Sequence, residues 1–235
     1  SFTFTGTASG TISDNGRIIV GNLLPGTYSS TETVPGGWKL TDIECDDANS
    51  SGDLGTKTAT FNLEAGETVK CVFTDTKLGT IIIEKVSVGG VATFNFTSDI
   101  PDGSPSFTIT TASGSTNQTI FSNLAAGIYH VTESGPNAPW SFTSLVCDST
   151  PISGQAATID LPAGGSVKCV FTDTKLGTII IEKVSVGGVA TFNFTSDIPD
   201  GSPSFTITTA SGSTNQTIFS NLAAGIYHVT ESGPN

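Results

Sequence analysis

The chain has 235 residues, 36% of them hydrophobic and only 13% charged, and a net charge of −12. That length suits one large domain or two to three small ones. An acidic surface of this kind repels nucleic acid and anionic membranes, which excludes both as default partners. No apolar run is long enough to cross a bilayer, and no signal peptide is present; the abrupt start at Ser1 reads as a mature fragment.

Thr, Ser and Gly replace the missing charges, Met is absent, and Ile, Val and Phe recur among them. This is the composition of an all-β protein, and no window of a dozen residues has helical periodicity. Phe2-Thr3-Phe4-Thr5 opens the chain as an alternating strand. Gly26-Thr27-Tyr28 leads into a second strand that carries Glu32, and Trp38 precedes Cys45 by seven residues. Val-Lys-Cys-Val-Phe-Thr at 69–74 reads as the closing strand of one unit. Gly-Thr-Ile-Ile-Ile-Glu-Lys at 79–85 reads as the opening strand of the next. Only Asp75, Thr76, Lys77 and Leu78 separate the two, too few residues for a floppy linker, so the units are expected to join end to end and stiffly. Beyond that junction the alternation and the turn residues predict strands over 80–88, 92–97, 107–111, 119–124, 128–133, 140–147, 157–161 and 166–173, with a Pro101-Asp102-Gly103 turn among them. Seven or eight short strands with Gly, Pro and Asn turns describe a small β-sandwich.

Internal repetition is the strongest signal. Residues 69–137 and 167–235 are identical, at an offset of 98. Residues 1–68 are a diverged copy: Phe2-Thr3-Phe4-Thr5 matches Phe94-Asn95-Phe96-Thr97, and Gly26-Thr27-Tyr28 with Glu32 matches Gly127-Ile128-Tyr129 with Glu133. Trp38 and Cys45 match Trp140 and Cys147. The expected organisation is a module over 1–76 without its opening strand, a complete module over 77–174, and a module over 175–235 without its closing strands. Raw sheet edges would be exposed in such pieces. The chain therefore reads as a window from a longer tandem array, or as modules whose missing strands come from partner chains.

The four cysteines fall as one pair per module, Cys45 with Cys71 and Cys147 with Cys169. An even count at similar spacing in β-modules reads as disulfides and an oxidising compartment. Zinc is disfavoured, because no C-x-x-C occurs and both histidines lie far from the cysteines. The order of an opening strand with Glu-Lys, a mid-module Gly-x-Tyr-x-x-x-Glu and a closing Phe-Thr-Asp resembles the prealbumin-like modules called Cna B-type or SpaA-type. These form stalks of bacterial surface adhesins and pili. Trp-x6-Cys and Lys-Cys-Val-Phe-Thr resemble a disulfide-bearing subgroup. The resemblance covers the whole chain. It implies tandem transthyretin-like, Ig-like β-sandwiches and a lysine of the first strand joined to an Asn or Asp of the last as an isopeptide, helped by the glutamate. The acceptor position here is Asp, where Asn is common.

Strand parity gives the same three residues a physical reading. Lys85 shares its face with Ile81 and Ile83, Glu133 with Tyr129 and Val131, and Asp173 with Val167, Cys169 and Phe171. Inward charges are costly unless paired or consumed. Burial lowers a lysine pKa and raises carboxyl pKa values, so a neutral amine could attack a protonated carboxyl while Glu133 shuttles the proton. The plain alternative is three strand-end charges that reach solvent. The same positions are Glu32 and Asp75 in the first module, and Lys183 and Glu231 in the third.

Other candidates are weaker. The loop 46–53 holds D-x-N-x-S-G, half of a calcium loop, but Thr58 stands where the bidentate glutamate belongs, so an acidic surface loop is the reading. His130 and His228, copies of one position, lack triad or metal spacing and read as exposed strand residues. Asn49, Asn95, Asn117, Asn193 and Asn215 begin N-x-[ST] sequons. No phosphate loop and no cofactor motif occurs. The expected protein is a non-enzymatic, secreted or cell-surface structural repeat, the rod of an extracellular filament, pilus or adhesin stalk. Its partners would be copies of itself or neighbouring modules. The alternative is an adhesin domain that grips a host ligand or glycan, with a hydrolase behind it. Trp38 and Trp140 at equivalent places favour core or junction packing over a ligand site.

Overall fold

The structure, a computed structural model, describes residues 1–112, 116–210 and 214–234. The first group of strands is β1 (Phe2–Gly6), β2 (Gly10–Ile12), β3 (Gly26–Thr33), β4 (Trp38–Cys45), β5 (Ser51–Asp53), β6 (Thr58–Leu63) and β7 (Cys71–Lys77). They form one sheet in the order β2-β1-β3-β6-β5 and a second of β4-β7. The second group is β8 (Gly79–Val88), β9 (Thr93–Ser98), β10 (Ser106–Thr110), β11 (Thr116–Leu124), β12 (Gly127–Glu133), β13 (Trp140–Cys147), β14 (Thr150–Ile152), β15 (Ala156–Leu161) and β16 (Ser166–Lys175). Its sheets run β10-β9-β12-β15 and β11-β8-β16-β13-β14. The third group is β17 (Gly177–Val184), β18 (Thr191–Ser196), β19 (Ser204–Thr208), β20 (Thr214–Leu222) and β21 (Val229–Pro234), paired as β17-β20 and β19-β18-β21. The architecture is all-β, as tandem sandwiches.

Alternation explains the second group. Along β8 the side chains of Ile81, Ile83 and Lys85 are buried and their neighbours half-exposed. Phe94 and Phe96 of β9, Val131 of β12, Ala157, Ile159 and Leu161 of β15, and Cys169 and Phe171 of β16 fill the space between the two sheets. Period two on both sheets closes one continuous core. The pair that matters most is β8 with β16. It is parallel over nine positions, from Ser166 opposite Thr80 to Thr174 opposite Val88. The first and last strands of the repeat are therefore neighbours, running the same way.

Two expectations need correction. Among the described residues the second group has nine strands rather than seven or eight, because Thr150–Ile152 adds an edge to β13. The joint between groups is one residue and not four. Asp75, Thr76 and Lys77 belong to β7, paired with β4 from Trp38↔Lys77 to Cys45↔Cys71, so only Leu78 intervenes. Leu176 is likewise the single residue between β16 and β17. The joint is held from both sides. The Leu78 amide donates to the Gly37 carbonyl at 2.8 Å, and the Gly164 amide donates to the Lys77 carbonyl at 2.8 Å. Gly164 has φ +66°, and a Cβ there would lie 2.8 Å from Lys77 Cδ, so glycine permits both the turn and the approach. At the second joint the Leu176 amide donates to the Pro139 carbonyl at 2.6 Å.

Candidate functional site

Lys85 on β8, Glu133 on β12 and Asp173 on β16 meet in the core of the second sandwich. Lys85 Nζ lies 2.7 Å from Glu133 Oε1 and 2.7 Å from Asp173 Oδ2, and all three side chains are essentially without solvent contact. The register explains the meeting. Asp173 sits opposite Ser87, two residues beyond Lys85 on the parallel strand, so both side chains share the inner face and lean together. Glu133 arrives from the facing sheet, paired opposite Phe96. The Phe94 ring covers the amine, its centroid 4.4 Å from Nζ, and Trp140 packs edge-on against that ring at 5.4 Å.

Short distances do not make these contacts hydrogen bonds. Lys85 Nζ, both Glu133 oxygens and both Asp173 oxygens lack a partner along a hydrogen-bonding direction. Burial pushes the Glu133 carboxyl up to about 7, against the opposing pull of the Lys85 ammonium and with a further push from Asp173. An amine and two carboxyls are thus packed in contact, dry and without the directed bonds that would offset their desolvation.

The third group of strands supplies a control, because residues 167–235 repeat residues 69–137 letter for letter. Lys183 Nζ donates to Glu231 Oε1 at 2.8 Å and Oε2 at 3.0 Å, with the Phe192 ring centroid 4.1 Å away. The lysine side chain is 21% exposed and the glutamate 34%. The same residues that form an ordinary bidentate ion pair here are driven to zero exposure when β13 to β16 close over them.

In the first group, Glu32 on β3 and Asp75 on β7 face each other, and among the described residues neither is ion-paired with a lysine, although Lys57 pulls Glu32 down in part. Both Glu32 oxygens and Asp75 Oδ1 are buried and lack a partner. Burial, then the neighbouring Asp75 carboxyl, push Glu32 up to about 7, and burial raises Asp75 as well. The sign of the pH dependence follows. A carboxyl whose folded pKa exceeds its unfolded one binds an extra proton in the native state, so its cost is absent below the ordinary carboxylate range and grows as pH rises toward about 7. Melting of the full chain at pH 5 and pH 8 should show the first sandwich less stable at pH 8. Glu32→Gln should raise its stability at pH 8 by on the order of 2 kcal/mol and flatten the dependence. A first sandwich that gains stability from pH 5 to pH 8 would contradict this.

The cysteines join as Cys45–Cys71, with S–S 2.06 Å, and Cys147–Cys169, with S–S 1.93 Å. Each bridge links directly opposed residues, of β4 and β7 and of β13 and β16. The acidic loop uses its carboxylates on itself: Asp46 Oδ1 accepts from the Lys70 amide, Asp47 Oδ2 from Ser50 Oγ and Asp53 Oδ1 from the Gly55 amide. Among the described residues no cluster of three His, Cys, Asp or Glu could hold a metal ion. His130 is exposed, but not solitary: Nδ1 lies 2.7 Å from Asp99 Oδ2, and its amide donates to Asp99 Oδ1 at 2.6 Å. His228 and Asp197 repeat the pair. Sequence reasoning missed it because the partners are 31 residues apart. A cleft of about 140 Å³ beside Glu133, Phe94 and Trp140 is small and largely polar. No helix is long and apolar enough to cross a membrane among the described residues.

A family model described as a prealbumin-like fold domain, SpaA_4, matches residues 1–77 and 81–175. Among solved structures the chain is similar to a minor pilin of Streptococcus agalactiae, at 15% identity over 71% of this chain and 66% of that chain, TM-score 0.30. It is similar to the Bacillus anthracis TIE protein at 15% identity over 100% of this chain and 46% of that chain, TM-score 0.33. It is also similar to the shaft pilin spaA of Lactobacillus rhamnosus GG, at 14% identity over 66% of this chain and 88% of that chain, TM-score 0.29. The chain thus spans less than two thirds of the first two structures it matches. No curated protein matches it.

Proposed function

Because the chain belongs to the SpaA-type family of prealbumin-like fold domains, we propose that it is a stretch of the rod of an extracellular filament, pilus or adhesin stalk. Its modules, expected over 1–76, 77–174 and 175–235, take their joints at Leu78 and Leu176, and a Lys85–Asp173 isopeptide, formed with Glu133 as proton shuttle, locks the complete one. The observation that carries this reading is the buried contact of Lys85 with both carboxyls at the seam between the first and last strands. The bond is folding chemistry and not turnover. Nothing cycles, and the role is mechanical.

The mechanics follow from the parallel seam. Tension that enters at Gly79 and leaves at Lys175 pulls β8 and β16 in opposite directions, so the ladder between them is loaded in shear. Ladder hydrogen bonds net only about 1 kcal/mol each. A covalent bridge from Lys85 to Asp173 passes the load between the strands and leaves the chain between those residues unstretched. One sandwich contributes on the order of 30 Å of rod, from ten strand residues at ~3.3 Å each. Single-molecule extension tests the proposal. The oxidised chain should show no long release from the central sandwich. Lys85→Met should restore one on the order of 200 Å, the length of the freed chain outside the disulfide loop. A long release from the central sandwich of the unmutated chain refutes it.

A further inference from the structure

Alternation sorts the outward side chains of the second sandwich into two unlike faces. On the β11-β8-β16-β13-β14 sheet, Ile82 and Val86 of β8, Ile120 of β11, Val146 of β13 and Val170 of β16 point away from the core. Ile120 is 52% exposed, and Val88 at the end of the same face is 47% exposed. On the β10-β9-β12-β15 sheet the outward positions are hydroxyl-rich instead, with Thr93, Thr97, Thr108 and Thr110 beside Ile128, His130 and Asp160. The first face is also neutral, in a chain of net charge −12. Among the outward positions of β8, β11, β13 and β16 the charged side chains are Glu84 and Lys168, which pair with each other at 2.8 Å. An apolar face without net charge, on a protein that otherwise repels its own copies, is where two copies can approach.

The register makes this block fit itself. Ile82 lies opposite Lys168, and Glu84 opposite Val170. The four side chains mark a rectangle, with the ion pair on one diagonal and the aliphatic pair on the other. We propose that the face is a lateral interface between two copies of the chain, packed sheet against sheet about a two-fold axis that runs along the aliphatic diagonal. That rotation sets Lys168 of each copy over Glu84 of the other, while Ile82 and Val170 meet their own counterparts. Every carboxylate then lies between two ammonium groups, and the contact is isologous, so it pairs copies rather than chaining them. With strands ~4.8 Å apart and alternate residues ~6.6 Å apart, the diagonal lies about 36° from the strands, and the strands of the two copies cross at about 70°. The aliphatic groups supply the attraction. The charges fix the register, because a two-fold axis along the other diagonal sets like charges together. Opposite signs side by side suit a second copy better than a partner of one sign. The pairing is separate from the end-to-end joints at Leu78 and Leu176, and it holds whether or not Lys85 and Asp173 are joined.

Sedimentation equilibrium of the full oxidised chain tests it, over roughly 10 μM to 1 mM, where a weak interface is populated. A monomer–dimer equilibrium is expected. Glu84→Lys and Lys168→Glu, each alone, should weaken it by about tenfold or more, since each sets like charges together twice. Melting curves near that of the unmutated chain confirm that the variants fold. Mixed in equal amounts, the two variants should recover the association as a heterodimer, because a lysine again meets a glutamate at every crossing. Unspecific sticking of apolar surface cannot produce that recovery. Thr108→Glu, on the outward face of the other sheet, should leave the equilibrium unchanged. A chain that stays monomeric throughout overturns the second copy as occupant. Dimers that survive both single variants, or that are lost with Thr108→Glu, overturn the face, and a mixture that fails to recover overturns the axis.

Discussion

Intact mass of the oxidised chain should come out one water below the sequence with both disulfides closed, and Glu133→Gln should restore that water. In the proposed reaction the amine of Lys85 attacks Cγ of Asp173, an amide forms, and the carboxyl's hydroxyl leaves with an amine proton as water. Glu133 must accept a proton from the amine and deliver one to the leaving oxygen, which calls for a group that populates both forms near neutrality. Burial has pushed Glu133 up to about 7, close to that requirement. Because its pKa is raised, the protonated form is lost as pH climbs past 7, so crosslinking after refolding should slow at alkaline pH. The Gln variant preserves shape and leaves the Lys85–Asp173 contact in place, so its folding can be checked separately by melting. A bridge between residues 85 and 173 constrains the unfolded chain by about 4–5 kcal/mol, and the Gln variant should lose that amount. Full mass in the unmutated chain, or a Lys85 amine open to acylation in the folded state, sinks the mechanism.

Opening the Cys147–Cys169 bridge should be the next largest perturbation. Its closed loop spans a sequence separation of 22, and that of Cys45–Cys71 spans 26, worth about 3.5 kcal/mol each in the chain-entropy model. For a domain of this size the melting point should fall by roughly 15–25 °C per bridge lost. The serine double variant at 147 and 169 should behave as the reduced protein does. The two covalent devices are expected to separate under different assays. With the isopeptide in place, Cys147 and Cys169 both lie in the shielded part of the chain, so reduction should lower the melting point and leave extension under force unchanged. Reduction that lengthens the central sandwich under force would show that the load runs through β13.

The strands were legible because alternation on a half-buried surface leaves a period of two, as in Phe94-Asn95-Phe96-Thr97, because β-branched runs such as Thr80-Ile81-Ile82-Ile83 favour strand, and because Gly, Pro and Asn mark the turns. Parity also put Lys85, Glu133 and Asp173 on the faces of their apolar neighbours, and left open whether they turn inward or reach solvent at the strand ends. It could not show that they touch. That depends on the parallel pairing of β8 with β16, and a pairing across some 90 residues of intervening chain leaves no local trace. The Phe94 face over Lys85 was hidden for the same reason. The strand Thr150–Ile152 was missed because three residues with a central proline look like a turn; its place on the outer edge of β13 is where a missing amide is tolerated. The joint was misjudged because Asp-Thr-Lys is polar and turn-like in isolation, while the β4 ladder holds it extended.

The one-residue joints bear on how such a chain would meet proteases. Proteases nick chains at exposed, solvated segments that can be drawn extended into a cleft, and in most multidomain proteins those segments are the tethers between domains. Leu78 and Leu176 offer no such tether, since each is flanked directly by ladder-bonded strands and its own amide is engaged. Cleavage is left to loop tips such as residues 53–57, exposed throughout. A cut there falls between strands that a disulfide and a continuous sheet still hold together. Digestion would scar such an array without severing it.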